Sequence, residues 1–237
     1  LFEDVFMGSK DTADKALKFT RNRHASVIGA VSEDAGVHPA GTGYSAHDPH
    51  LMFMTMAFAF DSAEAMFDLL VRRMNADERQ RLWQDFVTWV TLFGMPRDAA
   101  PATYPEFRAY FDGYLTSDEL HLTDEARLVG TYLAGAKAPR YPLPSDLTAR
   151  TLGLLVQGSL PKRVRELYGL RWTIADAAAF RATVEGSRAI HRKPLPFTPA
   201  LLRPILRGPS TPSYKVLAAG ERRTLRRGLA TMPGVGG

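Results

Sequence analysis

The stretch that decides the fold runs from residue 21 to residue 60 and reads RNRHASVIG at 21–29, YSAHDP at 44–49 and LMFMTMAFAF at 51–60. At its start, a mostly apolar set recurs at alternating steps of three and four residues, which predicts one face of a helix: Leu17, Thr20, His24, Val27 and Val31. We expect the His24 imidazole to point inward from this face. It would then either bind a metal centre or donate to a carbonyl oxygen as an ordinary core histidine.

Two arginines flank this histidine in the sequence. Arg21 lies one helical turn earlier and Arg23 is adjacent, so both guanidinium groups could meet carboxylates or phosphates at the rim of an apolar pocket. An imidazole for iron, an apolar wall for the macrocycle and arginines for the propionates suit a haem group. The pattern allows a haem site, but taken alone it favours the ordinary core histidine.

Bulk composition is that of one globular domain. The chain has 237 residues, of which 45% are hydrophobic and 23% charged, so a sizeable core and a single domain over 1–237 are expected. The region from about 192 to 237 contains seven prolines and is predicted as a partly irregular extension. The chain has no cysteine, which excludes disulfides, thiolate metal sites and iron–sulfur clusters.

Charge and hydropathy limit the partners. The net charge is +5, but basic and acidic residues are interleaved, and the one dense basic cluster, at 222–227, lacks interleaved aromatic residues. We therefore expect no nucleic-acid partner. The longest apolar run, at 51–60, is about half the length of a membrane span, and no signal peptide is visible. These features predict a cytoplasmic protein without stable membrane insertion, and they leave the oligomeric state open.

The predicted architecture is all-α, a single bundle of roughly eight to ten helices around a central apolar helix at about 51–74. Asp48-Pro49 and Asn75 are predicted to start the second and third helices, which should form an antiparallel hairpin. Thr12 or Asp11 is predicted to cap the first. The helices are predicted near 12–31, 51–74, 75–93, 105–114, 123–134, 146–158, 161–168, 174–190, 198–206 and 214–229, with loops at 32–43 and 137–144.

Other kinds of site find little support. His47 and His50 have H-x-x-H spacing, but no glutamate completes a zinc motif, and Asp48 is explained as a helix cap. Neither a G-x-S-x-G elbow nor a glycine-rich phosphate loop is present. The sequence thus argues against serine hydrolysis and nucleotide binding.

Five ordered motifs carry a family resemblance: R-x-x-H-A-x-V-x-G at 21–29, Y-S-A-x-D-P at 44–49, LFGMP at 92–96, YPEFRAYF at 104–111 and LPKRVRELYGL at 160–170. In this order they resemble the catalytic domain shared by rubber oxygenases (latex-clearing proteins) and the mpaB oxygenases. The resemblance runs from about Phe6 to about Trp172. It implies an all-helical domain that holds haem b and oxidises or cleaves apolar, isoprenoid- or lipid-like molecules with oxygen.

The resemblance also implies roles for individual residues. His24 takes the place of the family's iron ligand, and Arg21 or Arg23 would anchor the propionates. Chosen from this sequence and not implied by the resemblance, the remaining pocket candidates are Tyr44, Met56 and Phe60. Asp85 and Glu64 are the carboxylates available should a proton acceptor be needed. This chain departs from the family at two places: Met54-Thr55-Met56 replaces a W-V-H triplet, and Asp85 replaces a glutamate. The replaced triplet, together with the absence from this sequence of the polar segment expected before Phe6, favours the alternative hypothesis, a non-catalytic helical domain that binds an apolar ligand or serves as a scaffold.

Overall fold

The computed structural model of the chain describes Val5 and residues 9–134 and 146–192. Within these ranges the protein has eight α-helices, one 3-10 turn (Arg97–Ala99) and one two-stranded sheet, which confirms the all-α class. The predicted loop at 137–144, the helices near 198–206 and 214–229 and almost all of the C-terminal extension lie outside the described residues. The chain divides into two compact units, 1–68 with 72–121 and 69–71 with 122–237.

Helix α1 (Lys10–His24) is shorter than predicted at its C-terminal end and begins slightly earlier. Ser9, rather than Thr12 or Asp11, is its N-cap, and the Ser9 hydroxyl accepts a hydrogen bond from the Thr12 amide at 3.3 Å. The prediction that the helix continues to Val31 is wrong, because the β-branched residues and glycine that follow His24 favour extended backbone. Leu17 and Thr20 are buried on the predicted face.

A short hairpin replaces the predicted end of that helix. Strand β1 (Ile28–Ala30) pairs antiparallel with β2 (Gly43–Ser45), with Gly29 opposite Tyr44. A β-carbon at Gly29 would lie 2.5 Å from the Tyr44 hydroxyl oxygen, so a larger residue here would displace the phenol ring. Val27 is 46% exposed beside this hairpin and does not extend the buried face of α1.

Helix α2 (Pro49–Leu70) starts where the sequence predicted, because the Asp48 carboxylate accepts a hydrogen bond from the Leu51 amide at 3.0 Å. It contributes much of the first unit's core, through Met52, Phe53, Met54, Met56, Ala57 and Phe60. Leu51 and Phe58 are about two-fifths exposed, at 41% and 40%. The helix therefore presents apolar side chains to solvent as well as to the core.

Helix α3 (Ala76–Leu92) begins with a capping box, in which Asn75 and Glu78 each accept a hydrogen bond from the other's amide. It returns along α2, since Glu64 contacts Arg79 while the earlier Phe60 contacts the later Trp83. This order confirms the predicted antiparallel hairpin.

Helix α4 (Tyr104–Thr116) completes the core of the first unit, and Thr103 supplies a second capping box. Phe107 stacks on Trp83 with 4.2 Å between ring centroids, and both rings also contact Phe60. The Trp83 indole donates to the Pro101 carbonyl at 3.1 Å. These buried aromatic rings fix the arrangement of α2, α3 and α4.

The second unit contains α5 (Asp124–Leu133), α6 (Asp146–Ser159), α7 (Lys162–Leu167) and α8 (Ile174–Arg192), close to the predicted bounds. Gly158 of α6 meets the Phe180 ring, and Gly130 of α5 meets the Tyr168 ring; in both places a β-carbon would lie less than 2.5 Å from the ring. The Arg165 guanidinium donates to main-chain carbonyls at the end of α6. Close approach at two glycines thus organises this unit.

Candidate functional site

His24 is the last residue of α1 and is half-buried. Its Nδ1 atom is buried, and within the described residues it has no hydrogen-bond partner. The ring contacts the His47 ring edge to face, with 6.2 Å between centroids. The imidazole is therefore not held by a main-chain oxygen in the part of the chain described here, as the core-histidine alternative required.

Both arginines of the motif are exposed in the last turn of α1, where cations are favourable against the helix dipole. The Arg23 guanidinium lies over the exposed Phe19 ring at 5.4 Å. Among the described residues, neither Arg21 nor Arg23 forms an ion pair. Two cations at the same end of α1 as His24 thus remain available to an anionic group.

The other predicted pocket residues have different surroundings. Tyr44 is 44% exposed on the hairpin that follows α1. Met56 and Phe60 are buried, and the Phe60 ring contacts Trp83 and Phe107. The structure thus places Tyr44 at the surface and the other two in the core.

The two predicted proton acceptors also differ. Asp85 is exposed on α3. Glu64 is buried on α2, and one of its carboxylate oxygens accepts a hydrogen bond from the Tyr104 hydroxyl at 2.5 Å. The same oxygen pairs with the Arg79 guanidinium, and Arg108 lies 3.8 Å from the other oxygen. Accepting a proton from a substrate would require Glu64 to give up these partners.

Glu64 belongs to a larger set of charges that joins α2, α3 and α4, which we call the carboxylate cluster. Its members are Asp61, Glu64, Asp68, Arg79, Tyr104, Arg108 and Asp112. Arg79 also pairs with Asp68, and Arg108 pairs with Asp61 at 2.5 Å and with Asp112. Each charged group in the cluster has at least one partner of opposite charge.

Two members of this cluster have shifted pKa values. Burial raises the pKa of the Tyr104 hydroxyl, against the opposing effect of Arg79, so the phenol remains a donor at neutral pH. Burial alone would lower the pKa of Arg108, but its hydrogen bond to Asp61 and the neighbouring carboxylates raise it instead. Tyr104 and Arg108 therefore remain protonated donors at neutral pH.

Of this cluster, sequence reasoning identified only Glu64. A signal was available, because Asp61, Glu64 and Asp68 recur at steps of three and four on the otherwise apolar α2. Carboxylates on one side of such a helix require cationic partners. The identity of those partners depends on tertiary contacts that periodicity does not give.

Open clefts are present in the first unit. One, of about 440 Å³, lies beside the carboxylate cluster and is lined in part by Arg79, Gln80 and Tyr104. A second, of about 310 Å³, we call the His–Tyr cleft; it is lined by His38, His50, Tyr110, Gly113, Tyr114, Ser117 and Glu119. Among the described residues, no three His, Cys, Asp or Glu side chains are placed to hold a metal ion together.

The comparison with family models identifies the class of protein, an oxygenase catalytic domain. The chain belongs to the family described as "ER-bound oxygenase mpaB/B'/Rubber oxygenase, catalytic domain", whose model matches residues 1–189. This confirms the family predicted from the ordered motifs and supports an oxygenase-like function in general. Comparison with curated proteins and with solved structures finds no match. None of the helices in the described ranges has the length and apolarity needed to cross a bilayer.

Proposed function

We propose that this chain is a haem-dependent oxygenase that acts on an apolar, isoprenoid- or lipid-like substrate. Membership of the oxygenase family supports the reaction class. The observation that carries the proposal is the His24 imidazole, whose buried Nδ1 has no hydrogen-bond partner in the described structure. A buried polar atom without a partner is costly unless a ligand or water completes it.

The residues at this end of α1 fit a haem group by their chemistry. His24 would bind the iron, and the exposed guanidinium groups of Arg21 and Arg23, which form no ion pair among the described residues, would bind the carboxylates of the propionates. When bound, haem supplies an iron centre for reaction with dioxygen. The exposed Tyr44 would border the site, and we retain Met56 and Phe60 as candidates for its apolar wall.

This chain's own carboxylates divide the remaining roles. The exposed Asp85 has no ion-pair partner among the described residues and is the freer candidate for accepting a proton from the substrate. Glu64 remains a second candidate, but its pairing with Arg79 and Tyr104 supports a positioning role within α2, α3 and α4.

The proposal is tested by supplying haem to the purified chain and recording the Soret absorbance. We expect a Soret band for the parent chain, its loss in His24→Ala and its retention in His121→Ala, which removes an exposed histidine. The variant His47→Ala separates the two neighbouring rings, and we expect it to keep the band. A chain that takes up no haem, or one in which only His47→Ala loses the band, would overturn the assignment of His24.

The second candidate is a helical domain that binds an apolar ligand without turnover. It is favoured by the triplet Met54-Thr55-Met56, which replaces W-V-H in the family pattern. Met54 and Met56 are buried, and the Thr55 hydroxyl donates to the Leu51 carbonyl at 2.9 Å. No histidine is therefore available at these positions of α2. Uptake of haem without oxygen consumption in the presence of any apolar substrate would favour this candidate over the enzyme.

A further inference from the structure

The His–Tyr cleft shares no residue with the proposed haem site. It lies in the first unit, at the C-terminal end of α4, which supplies Tyr110, Gly113 and Tyr114, and next to His50 in the first turn of α2. Its volume of about 310 Å³ lies in the lower part of the range for small-molecule sites. The size suits a small ligand.

The fixed charge in this cleft is negative. Glu119 lines it and forms no ion pair within the described residues, and no lysine or arginine is among the lining residues. The C-terminal end of α4 adds the negative end of a helix dipole. The cleft therefore attracts cations.

Contacts with the core hold the two phenol rings in place. Tyr110 packs edge to face against Phe53 with 5.3 Å between centroids, and its hydroxyl lies 3.8 Å from the Met54 sulfur. Tyr114 packs against Phe58 at 6.0 Å. Because these rings are already held in place, ligand binding would cost little side-chain conformational entropy.

The electrostatic effect of Glu119 reaches both rings. Burial and, secondarily, the Glu119 carboxylate raise the pKa of Tyr110 and of Tyr114. The two phenols therefore remain neutral at neutral pH and keep the electron-rich faces that attract cations.

From this combination of a carboxylate without an ion-pair partner among the described residues, a helix C-terminus and ordered tyrosine rings, we propose that the His–Tyr cleft binds a small organic cation with a tertiary or quaternary ammonium group. Such groups are recognised by aromatic side chains together with a nearby carboxylate. A methylated ammonium is favoured over a metal ion, because no three-residue metal cluster is found among the described residues. The proposal is independent of haem binding.

The test is a titration of the full chain with choline chloride, followed by NMR, and with its neutral isostere 3,3-dimethylbutan-1-ol. We expect saturable binding of choline and binding of the isostere that is about fivefold or more weaker, because only choline carries the charge. Equal binding of the two probes, or no saturation by choline, would overturn the proposal.

Two variants locate the site. Glu119→Gln removes the carboxylate, and Tyr114→Leu removes one ring; each is expected to weaken choline binding about fivefold. Asp118→Asn is the matched control, because it removes one negative charge from the neighbouring residue, which does not line the cleft. An equal effect of Asp118→Asn would show that only net charge matters and would refute the site. Binding of Zn²⁺ that is lost in His38→Ala, without binding of choline, would refute it as well.

Discussion

The carboxylate cluster and the end of α1 differ in whether their polar groups have partners within the described protein. In the cluster, Glu64 is buried and meets two guanidinium groups and a phenol. At the end of α1, the buried Nδ1 of His24 and the guanidinium of Arg21 have no partner among the described residues. The difference teaches that the charges of the cluster are matched within the protein, whereas the end of α1 leaves polar groups that solvent or a ligand can pair with.

The largest expected effect comes from breaking the cluster. Arg79→Met should lower the free energy of unfolding by about 3 kcal/mol, because it leaves the buried Glu64 and the partly buried Asp68 without their shared cation. Arg21→Met is the matched control at the end of α1 and should change that free energy by less than about 0.5 kcal/mol. Urea denaturation of both variants measures the difference. Equal losses would mean that the two regions do not differ as described.

A smaller effect is expected from the phenol of the cluster. Tyr104→Phe removes the hydroxyl that donates to Glu64 at 2.5 Å and should lower the free energy of unfolding by about 1 kcal/mol. Haem uptake should not change, because Tyr104 is not among the residues proposed to hold haem. Thermal unfolding and the Soret absorbance measure the two properties on one sample. Loss of haem with unchanged stability would reverse the assignment of structural and ligand-binding roles.

The smallest effect is expected at an exposed ion pair just outside the cluster. The hydrogen bond from Arg72, and then that from the Asn75 amide, lower the pKa of Glu78 from 4.5 to about 2. A carboxylate with a lowered pKa in the folded state stabilises the protein fully above about pH 4.5, and that contribution is lost as the pH falls towards 2. Glu78→Gln should therefore reduce the loss of stability between pH 4.5 and 2.

The control for this prediction is Asp77→Asn, which removes a neighbouring carboxylate from the same first turn of α3. Unfolding midpoints measured across this pH range should show a shallower acid slope for Glu78→Gln than for Asp77→Asn. An identical slope in the two variants would show that the interaction with Arg72 does not contribute to acid stability.

Local signals explain which parts of the fold were predictable. Asp48-Pro49 and Asn75 mark helix starts by chemistry confined to three or four residues, and both predictions are confirmed. The end of α1 was missed because Val27 and Val31 continue the helical spacing, while the pairing of β1 with β2 depends on residues about fifteen positions away.

The same distinction applies to the candidate site. His24 could be identified from a short motif, because the histidine and its flanking arginines are neighbours in sequence. The partners of Glu64 could not, since Arg79, Tyr104 and Arg108 are brought to it only by the packing of three helices. The roles of all the candidate site residues remain predictions: His24, Arg21, Arg23, Tyr44, Met56, Phe60, Asp85 and Glu64.

Two glycines of the second unit are positions at which a single substitution should destabilise that unit. Adding a methyl group at Gly130 or Gly158 would force the Tyr168 or Phe180 ring out of its position, while the carboxylate cluster and α1 lie in the other unit. Alanine at either position should therefore behave as a temperature-sensitive allele.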